Sequence, residues 1–431
     1  MSAAEALSPE AIHEAVYAMG RQARAAAHAL AVLSTAEKNA ILLAMAAELR
    51  ARSQDILAEN ARDLDAAEAN GLTSAMQDRL RLDEDRLEAV AGGVEQVARL
   101  GDPVGEVLDE RLRPNGIRIE QVRVPIGVIG IIYESRPNVT SDAAVLCLKA
   151  GNATILRGGS EAIHSNRAIA AALQDGGEKE GLPAHAIQLI PFTDRESVRE
   201  MASMDRYLDL IVPRGGKGLI ETVVSLARMP VIKHYDGVCH VFVDAGADLG
   251  MASGIVVDAK TQKPSVCNAL ETLLVHEAVA GEFLPLVAGK LSARKVELRG
   301  CRSTREILGD TVIAATSEDW EEEYLDYILA VKLVGSLEEA VTHINEHGSQ
   351  HTDCIVTADE AVAERFLREV DSACVFHNVS TRFSDGEEFG FGAEIGISTD
   401  KLHARGPMAL RELTSYQYRV RGEGQLKAPV G

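Results

Sequence analysis

The chain has 431 residues, of which 46% are hydrophobic and 25% are charged, as in an ordinary globular protein with a buried core. Acidic residues outnumber basic ones by 65 to 44, and the formal net charge of −21 at pH 7 argues against nucleic acid or an anionic membrane surface as a partner. A chain of this length exceeds one simple core, so two or three domains are expected.

Neither export signals nor metal-binding patterns are evident. The N-terminal residues MSAAE lack the basic start and apolar core of a signal peptide, and no apolar run is long enough to span a bilayer. Six cysteines lack the spacing of a disulfide framework or a zinc site: Cys147, Cys239, Cys267, Cys301, Cys354 and Cys374. We therefore expect a cytoplasmic protein with reduced cysteines, and we predict no metal.

Residues 8 to about 100 are predicted to be helical. Ser8 precedes a proline at the first helical position. Ser34 and Glu37 have the spacing of a capping box ahead of an apolar-periodic run.

From Val128 onward, short apolar strands alternate with helical stretches, which predicts parallel sheets covered on both faces. The first set of predicted strands comprises residues 128–132, 153–156, 187–190, 208–212 and 241–243. A second set follows Cys267 and comprises residues 272–275, 328–334, 353–357 and 373–376. We therefore expect two α/β domains with this cysteine near their junction.

Cys267 is the residue that most directly suggests chemistry. Pro264 disfavours helix for the residue before it, and Ser265 can cap a helical turn, which predicts that the thiol lies near a helix N-terminus. Lys260 and Lys263 precede it, and both features stabilise the nucleophilic thiolate. The alternative is an inert buried cysteine, which is common among free thiols.

Three further segments follow predicted strands, where ligands bind in open α/β sheets. The loop PRGGKG at 213–218 exposes backbone N–H groups to an anion, but it matches neither GxxxxGK[ST] nor GxGxxG, and a tight turn explains it equally well. Arg157 could hold a ribose or a phosphate, or be a solvated charge. Asn138 could donate to a developing oxyanion, or form an Asx turn helped by Pro137.

Together these segments resemble the aldehyde dehydrogenase superfamily over nearly the whole chain. The most specific stretches are VPIGVIG at 124–130, YESRPNVT at 133–140, LKAGNA at 148–153, KPSVCNALET at 263–272, STRF at 380–383, FGAEIGIST at 391–399 and KLHARGPM at 401–408. The resemblance implies an aldehyde dehydrogenase-like α/β fold, with two doubly wound domains and a small β-flap for oligomerisation.

The domain boundaries are interpreted accordingly. Residues 1–262 would hold the helical N-terminus and a dinucleotide-binding domain, and residues 263–400 the catalytic domain with the cysteine. Residues 401–431 would be a return segment with an oligomerisation strand. The alternating pattern at 415–420 predicts a half-buried strand that pairs with about 116–124.

The resemblance also implies roles for individual residues. Cys267 would be the nucleophile, and its backbone N–H and the side chain of Asn138 would be the oxyanion donors. Arg157 takes the place of a lysine that contacts the adenosine ribose, and Glu323 looks like the glutamate that holds the nicotinamide ribose. Ser160 stands where NAD-specific relatives carry a glutamate, so it is compatible with NADP. The implied cofactor is NADPH/NADP, with further contacts from Gly158, Pro213, Gly215 and Gly216.

The implied reaction is the reduction of an acyl phosphate, L-glutamyl 5-phosphate, to the 5-semialdehyde and phosphate through a cysteine thioester, in proline biosynthesis. Because the substrate carries two anionic groups, arginines are expected in its pocket. The substrate candidates are Ser135, Arg136, Ser380, Thr381 and Arg382, with Arg405 as the weakest arginine. Each arginine could instead form an ordinary ion pair. The resemblance also implies a homo-oligomer and a functional association with glutamate 5-kinase.

One departure from the superfamily pattern argues against a hydrolytic dehydrogenase. Hydrolytic members carry a general-base glutamate upstream of the cysteine, whereas this sequence has Lys233 or His234 at that place. Without such a base, a thioester would wait for hydride instead of being hydrolysed. The competing interpretations are a hydrolytic or coenzyme A-dependent member, a non-catalytic nucleotide-binding protein of the same fold, and a phosphotransferase.

Overall fold

The computed structural model describes residues 8–427. Within residues 8–100 the chain forms the expected helices: α1 (Pro9–Leu30), α2 (Thr35–Ala51), α3 (Ser53–Ala69), α4 (Ser74–Leu80) and α5 (Glu84–Arg99). The predicted caps are confirmed. The side chain of Ser8 accepts from the N–H of Ala11, and Ser34 and Glu37 form a reciprocal capping box.

The next stretch contains a four-stranded parallel sheet in the order β5-β4-β3-β6. Its chain segment comprises β1 (Val107–Leu112), β2 (Arg118–Pro125), β3 (Val128–Tyr133), α6 (Asn138–Lys149), β4 (Ala153–Arg157), α7 (Ile163–Glu178), β5 (Ile187–Leu189), α8 (Glu196–Ser203), β6 (Leu210–Arg214) and α9 (Lys217–Leu226). Every residue of β3 and β4 is buried. Burial on both faces explains why these strands are continuous apolar runs.

A second sheet of seven strands has the order β10-β9-β11-β8-β7-β12-β13, and its neighbouring strands run parallel. The remaining elements are β7 (Cys239–Val243), α10 (Leu249–Thr261), β8 (Leu270–His276), α11 (Glu277–Ser292), β9 (Glu297–Gly300), α12 (Arg302–Leu308), β10 (Ile313–Ala314), β11 (Ile328–Val334), α13 (Leu337–His347), β12 (Thr352–Val356), α14 (Glu360–Glu369), β13 (Cys374–His377), β14 (Gly396–Ser398), β15 (Gly406–Met408) and β16 (Thr414–Arg421).

Helices cover both faces of the seven-stranded sheet. Successive residues of β7 enter different core clusters: Val241 packs in a cluster with Val256 and Phe283, and Phe242 in one with Ile344 and Phe366. This alternation follows from the period of two in a β-strand. Among the described residues, no helix combines the length and the apolar character needed to cross a membrane.

The antiparallel strands predicted as a flap do pair. β16 runs antiparallel to β2, from Thr414 opposite Pro125 to Arg421 opposite Arg118, and β1 pairs with the other edge of β2. Their role in oligomerisation stays a prediction.

The fold divides into two units at positions that differ from the sequence-based boundaries. The first unit comprises Met1–Ile232, Phe391–Gly396 and Met408–Gly431, and the second comprises Lys233–Gly390 and Ile397–Pro407. The boundary expected between residues 262 and 263 falls earlier because β7 pairs with β8 and β12, so it belongs to the second sheet. Likewise, the segment 401–431 is shared between the two units.

Candidate active site

The predicted ligand residues of the first unit lie at one edge of its sheet. Strands β4, β3 and β6 are neighbours and run parallel, so the segments that follow them leave the sheet on the same side. Residues 134–138 follow β3, residues 158–160 follow β4, and residues 215–216 follow β6. Arg157 is the last residue of β4, and Pro213 is the last but one of β6. This edge is where an α/β sheet binds ligands.

Arg157 is buried, not a solvated charge, with only 9% of its surface exposed. Its Nη2 donates to the carbonyl oxygen of Thr193 at 2.8 Å, its Nη1 to that of Gly158 at 3.2 Å, and its Nε to Ser197 Oγ at 3.5 Å. Burial lowers the pKa of the guanidinium, and the charge of Glu161 partly opposes this. The arginine therefore organises the loop after β4, and a contact with a ribose stays a prediction.

The loop after β4 is joined to the loop after β3. Glu161 Oε1 accepts from the N–H of Ser135 at 2.6 Å and from its hydroxyl at 2.7 Å. At Gly158 a Cβ atom would lie 2.1 Å from Asn166 Nδ2, so a side chain there would displace this buried amide. Ser160 is exposed and begins a short 3₁₀-helix.

The Gly215 loop places the N-terminus of α9 against an anion of the protein itself. Gly216 is the N-cap of α9, and its N–H donates to Glu134 Oε2 at 3.0 Å. A Cβ atom at Gly215 would lie 2.4 Å from the same oxygen. The anion at this position is a carboxylate of the protein itself, and the N–H groups and dipole of a helix N-terminus suit a phosphate equally.

Asn138 is the first residue of α6, and its side chain is fixed along that helix. Its Nδ2 donates to Asp142 Oδ2 at 2.8 Å, an arrangement that differs from the Asx turn considered from the sequence. Burial raises the pKa of Asp142 to about 6, while the hydrogen bond from Asn138 and the charge of Arg214 oppose this shift. The carboxyl group thus holds the amide in one orientation.

In the second unit, Cys267 is partly exposed, but the helix N-terminus predicted beside it is wrong. Residues 262–269 form turns between α10 and β8, and no helix begins among them. The apolar strand that starts at Leu270 enters the sheet between β7 and β11, and this tertiary pairing outweighs the capping signal of Ser265.

The backbone of Cys267 contacts two residues at or just before the start of β7. At Gly237 a Cβ atom would lie 1.9 Å from the carbonyl oxygen of Cys267, so a side chain is excluded. Cys239 Sγ donates to the same oxygen at 3.2 Å and lies 3.8 Å from His351 Nδ1. Burial raises the pKa of Cys239 well above its ordinary value, so this thiol stays protonated. Sequence analysis gave Cys239 no role.

Three of the predicted substrate residues lie beside residues 262–269, the cysteine loop. Thr381 is fully buried, and its hydroxyl donates to the carbonyl oxygen of Asn268 at 2.7 Å. Asn268 Nδ2 donates in turn to the carbonyl oxygen of Ser384 at 2.8 Å. Ser380 Oγ accepts from the N–H of Arg382, whose Nε donates to Gln262 Oε1 at 2.9 Å. Thr381 therefore holds the loop, and sequence analysis did not identify its partner Asn268.

Glu323, the acidic residue predicted for the nicotinamide ribose, acts electrostatically on Cys239. Its charge adds to the raised pKa of this thiol, after burial and the charges of Asp353, Cys267 and Glu271. Glu271 forms a buried ion pair with Lys260, a pair that carried no sequence signal. Arg136 is exposed after β3.

Arg405, the weakest of the substrate candidates, binds Asp371. Arg405 donates from Nη1 to Asp371 Oδ1 at 3.0 Å and from Nη2 to the backbone oxygen of the same residue at 3.1 Å. This arrangement corresponds to the ion pair considered as its alternative.

Lys233 and His234, which the resemblance places where hydrolytic relatives carry a base, both bind other groups. Lys233 Nζ donates to Asp400 Oδ1 at 2.7 Å, and His234 Nδ1 lies 2.9 Å from the carbonyl oxygen of Ile397. Both side chains are bound within the second unit, and neither is a carboxylate.

The comparisons with known proteins agree with this geometry. Residues 4–305 match the sequence model described as the aldehyde dehydrogenase family. A curated gamma-glutamyl phosphate reductase from Geotalea daltonii is 56% identical over 416 residues, which cover 96% of this chain and 99% of the relative. The one from Geobacter metallireducens is 54% identical with the same coverage.

Solved structures extend the agreement to the fold. The crystal structure of gamma-glutamyl phosphate reductase from Thermotoga maritima has a TM-score of 0.94 at 46% identity, covering 96% of this chain and 100% of the other. An acetylating aldehyde dehydrogenase from Geobacillus thermoglucosidasius has a TM-score of 0.67 at 18% identity, covering 98% and 99%, and shares the fold. These similarities confirm the α/β fold class that the sequence resemblance implied.

Proposed function

Because the chain belongs to the aldehyde dehydrogenase family, we propose that it reduces L-glutamyl 5-phosphate to L-glutamate 5-semialdehyde and phosphate, with NADPH as the hydride donor, in proline biosynthesis. The observation that carries this proposal is a partly exposed Cys267 in a loop fixed by hydrogen bonds, in a chain similar over nearly its whole length to gamma-glutamyl phosphate reductases. The protein would act in the cytoplasm, where its free cysteines stay reduced.

In the proposed reaction, the thiolate of Cys267 attacks the acyl carbon and the carbon–oxygen bond to phosphate breaks, leaving a thioester. The backbone N–H of Cys267 and the side-chain amide of Asn138 stabilise the oxyanion that forms. Asp142 supports this role because it fixes the amide from the far side. When the thioester has been reduced, the carbon–sulfur bond breaks, and the thiolate is released with the aldehyde.

The carboxyl edge of the first sheet fits a dinucleotide. A side chain at Gly158 would displace Asn166, a phosphate would replace Glu134 at the N–H of Gly216, and the exposed hydroxyl of Ser160 places no charge there. Arg157, Pro213, Gly215 and Glu323 complete the proposed contacts. When bound, NADPH supplies the hydride that reduces the thioester. An uncharged Ser160 supports NADP over NAD because it does not repel a 2′-phosphate.

A reductase and a hydrolytic dehydrogenase differ in whether water attacks the thioester. A carboxylate base would activate water against the thioester, and the bonds of Lys233 and His234 leave neither in that role. The thioester therefore persists until it is reduced or returned to phosphate. This property suits an enzyme whose substrate is an activated acyl phosphate.

The anionic groups of the substrate would be bound by residues from two segments. Arg136 and Ser135 follow β3, and Arg382 and Ser380 lie beside the cysteine loop. Guanidinium groups match both a phosphate and a carboxylate. In this proposal Thr381 acts through the loop that it holds.

Association with other chains forms part of the same proposal. The sheet of β1, β2 and β16 carries exposed apolar side chains, among them Tyr416, Tyr418 and Val420. Such a surface suits a homo-oligomer contact. A functional association with glutamate 5-kinase would deliver the unstable acyl phosphate.

The function is tested by coupling the protein to glutamate 5-kinase, ATP and glutamate, and following NADPH oxidation and phosphate release together. We expect one phosphate from the acyl phosphate per NADPH, and no oxidation with Cys267→Ala. NADPH oxidation that does not require the kinase would contradict the substrate assignment.

A further inference from the structure

A fully buried ion pair lies at the base of the cysteine loop, and the proposed mechanism does not use it. Lys260 Nζ donates to Glu271 Oε2 at 2.6 Å, and neither side chain is exposed. Lys260 lies in the last turn of α10 and Glu271 near the start of β8, so Cys267 lies between them in the chain. The pair therefore ties together the two ends of the loop that carries the nucleophile.

The second carboxylate oxygen of Glu271 holds a different segment. Its Oε1 accepts from the backbone N–H of Leu325 at 3.3 Å. Leu325 has φ +53°, a left-handed conformation that costs a non-glycine residue free energy and persists only when its surroundings enforce it. Glu323, proposed to hold the nicotinamide ribose, lies two residues earlier in the same segment.

Tyr324, between these two residues, is fixed as well. Its hydroxyl donates to Asp319 Oδ1 at 2.7 Å. The guanidinium carbon of Arg299 lies 5.1 Å from the centroid of the ring, and Lys260 Nζ lies 5.9 Å from it. Cations at these distances attract the face of an aromatic ring. Lys260 thus contacts both Glu271 and the segment that Glu271 holds.

We propose that Glu271, oriented by Lys260, is a positioning residue that holds the Glu323 segment and the cysteine loop in one fixed arrangement for cofactor binding. This inference rests on the proposed function, because it assumes that Glu323 binds the cofactor. Net stability is a poor explanation of the pair, since the desolvation of two buried charges offsets most of their attraction. By contrast, the two hydrogen bonds of Glu271 connect the end of α10, through Lys260, to the Glu323 segment, through Leu325.

Burial acts against the charged forms of both partners, and each partner favours the charged form of the other. Burial raises the pKa of Glu271 to about 8, Lys260 opposes the shift, and the charge of Glu323 adds to it. Burial likewise lowers the pKa of Lys260.

Two substitutions at one position separate the positioning role from simple packing. Glu271→Leu removes the acceptor for Leu325, whereas Glu271→Gln keeps an amide oxygen that can accept from the same N–H. Both are made together with Lys260→Met, so that no buried ammonium group faces a leucine or an amide N–H. We expect Glu271→Leu to raise the Kd for NADPH about tenfold, the effect of one lost hydrogen bond to a charged group, and Glu271→Gln to raise it less than about threefold. Leu325→Gly in the Glu271→Leu protein should recover affinity, because glycine adopts φ +53° without strain.

A cofactor-free measurement accompanies the titration. Amide hydrogen exchange over residues 323–326 should accelerate in Glu271→Leu and not in Glu271→Gln. The matched control is Lys38→Met, which breaks the buried pair of Lys38 with Asp102 in the first unit and should lower Tm without changing either readout. Failure of the wild type to bind NADPH would overturn the proposed function, and the exchange data would still report on Glu271.

Equal NADPH affinities for the wild type and a folded Glu271→Leu would overturn the inference, as would unchanged exchange over residues 323–326. If Glu271→Leu does not fold, the NADPH affinity of Glu271→Gln tests the inference. A loss of about tenfold in NADPH affinity despite the retained acceptor would then contradict the positioning role.

Discussion

The thiol of Cys239 donates a hydrogen bond of 3.2 Å to the carbonyl oxygen of Cys267. One cysteine is thus a buried, protonated support, and the other is partly exposed in a turn. Because the thiolate is the reactive form of a cysteine, the two thiols should differ sharply in reactivity although they are neighbours in space.

Selective alkylation follows from this difference. At pH 7.5, iodoacetamide should label Cys267 and abolish activity, while Cys239 stays unlabelled. Burial raises the pKa of Cys147 and Cys354 to about 12, so these thiols should also stay unlabelled. Peptide mass spectrometry measures each site, with Cys267→Ala as the control. Labelling of Cys239 at the same rate as Cys267 would contradict the assigned roles.

Gly237→Ala should disable the enzyme, because the new Cβ would lie 1.9 Å from the carbonyl oxygen of Cys267 and must displace the loop. We expect kcat to fall by about a hundredfold, the loss that follows a misplacement of about 1 Å at a reacting group.

Gly281→Ala in α11 is the matched control for this substitution, since nothing lies within 4 Å of its Cβ position. Alanine in a helix interior is favoured over glycine by about 0.5–1 kcal/mol, so this variant should be active and slightly more stable. A Gly237→Ala protein with wild-type kcat would show that the loop tolerates displacement.

Thr381→Val should loosen the cysteine loop, because it removes the hydroxyl that donates to the carbonyl oxygen of Asn268. The unfolding free energy should fall by about 1–2 kcal/mol, and kcat should fall more than KM changes. Thr381→Ser keeps the hydroxyl and should retain most of the activity. If the valine variant instead raised only KM for the acyl phosphate, Thr381 would be a direct substrate contact.

The stability of the protein should depend on pH through Asp142. Its pKa is raised from the ordinary 3.8 to about 6 in the folded protein, so its favourable contribution is complete below pH 3.8 and is lost as the pH rises through about 6. Asp142→Asn removes this loss. The unfolding free energy of the variant relative to the wild type should therefore increase by about 2 kcal/mol between pH 4 and pH 7.5. Chemical denaturation at both pH values measures it, and parallel pH profiles would contradict a raised pKa.

Much of the fold follows from local sequence pattern. Apolar strands alternating with helices predicted parallel sheets, and the capping box of Ser34 and Glu37 marked a helix start correctly. The assignment of β7 to the first domain failed because strand pairing depends on partners such as β12, far along the chain, and chain order does not reveal them.

The positions of the candidate site residues in the fold were predictable where these residues follow strands or belong to recognisable motifs. Asn138 and Gly216 lie at the carboxyl edge of their sheet, and Thr381 lies beside the cysteine loop. The support residues were not predictable, because their roles arise from contacts across the fold. Cys239 has no local pattern that distinguishes it from an ordinary buried residue. Lys260, expected to stabilise the Cys267 thiolate, is instead fully buried and paired with Glu271.

The central claim is a Cys267 thioester that phosphate, not water, releases. A stopped-flow experiment with NADP⁺ and glutamate 5-semialdehyde in phosphate-free buffer tests it most directly. We predict a burst of one NADPH per active site, an acyl group on Cys267 by intact mass spectrometry, and continued turnover once phosphate is added. Steady NADPH formation without phosphate, with no acyl group on Cys267, would contradict the account and indicate a hydrolytic dehydrogenase.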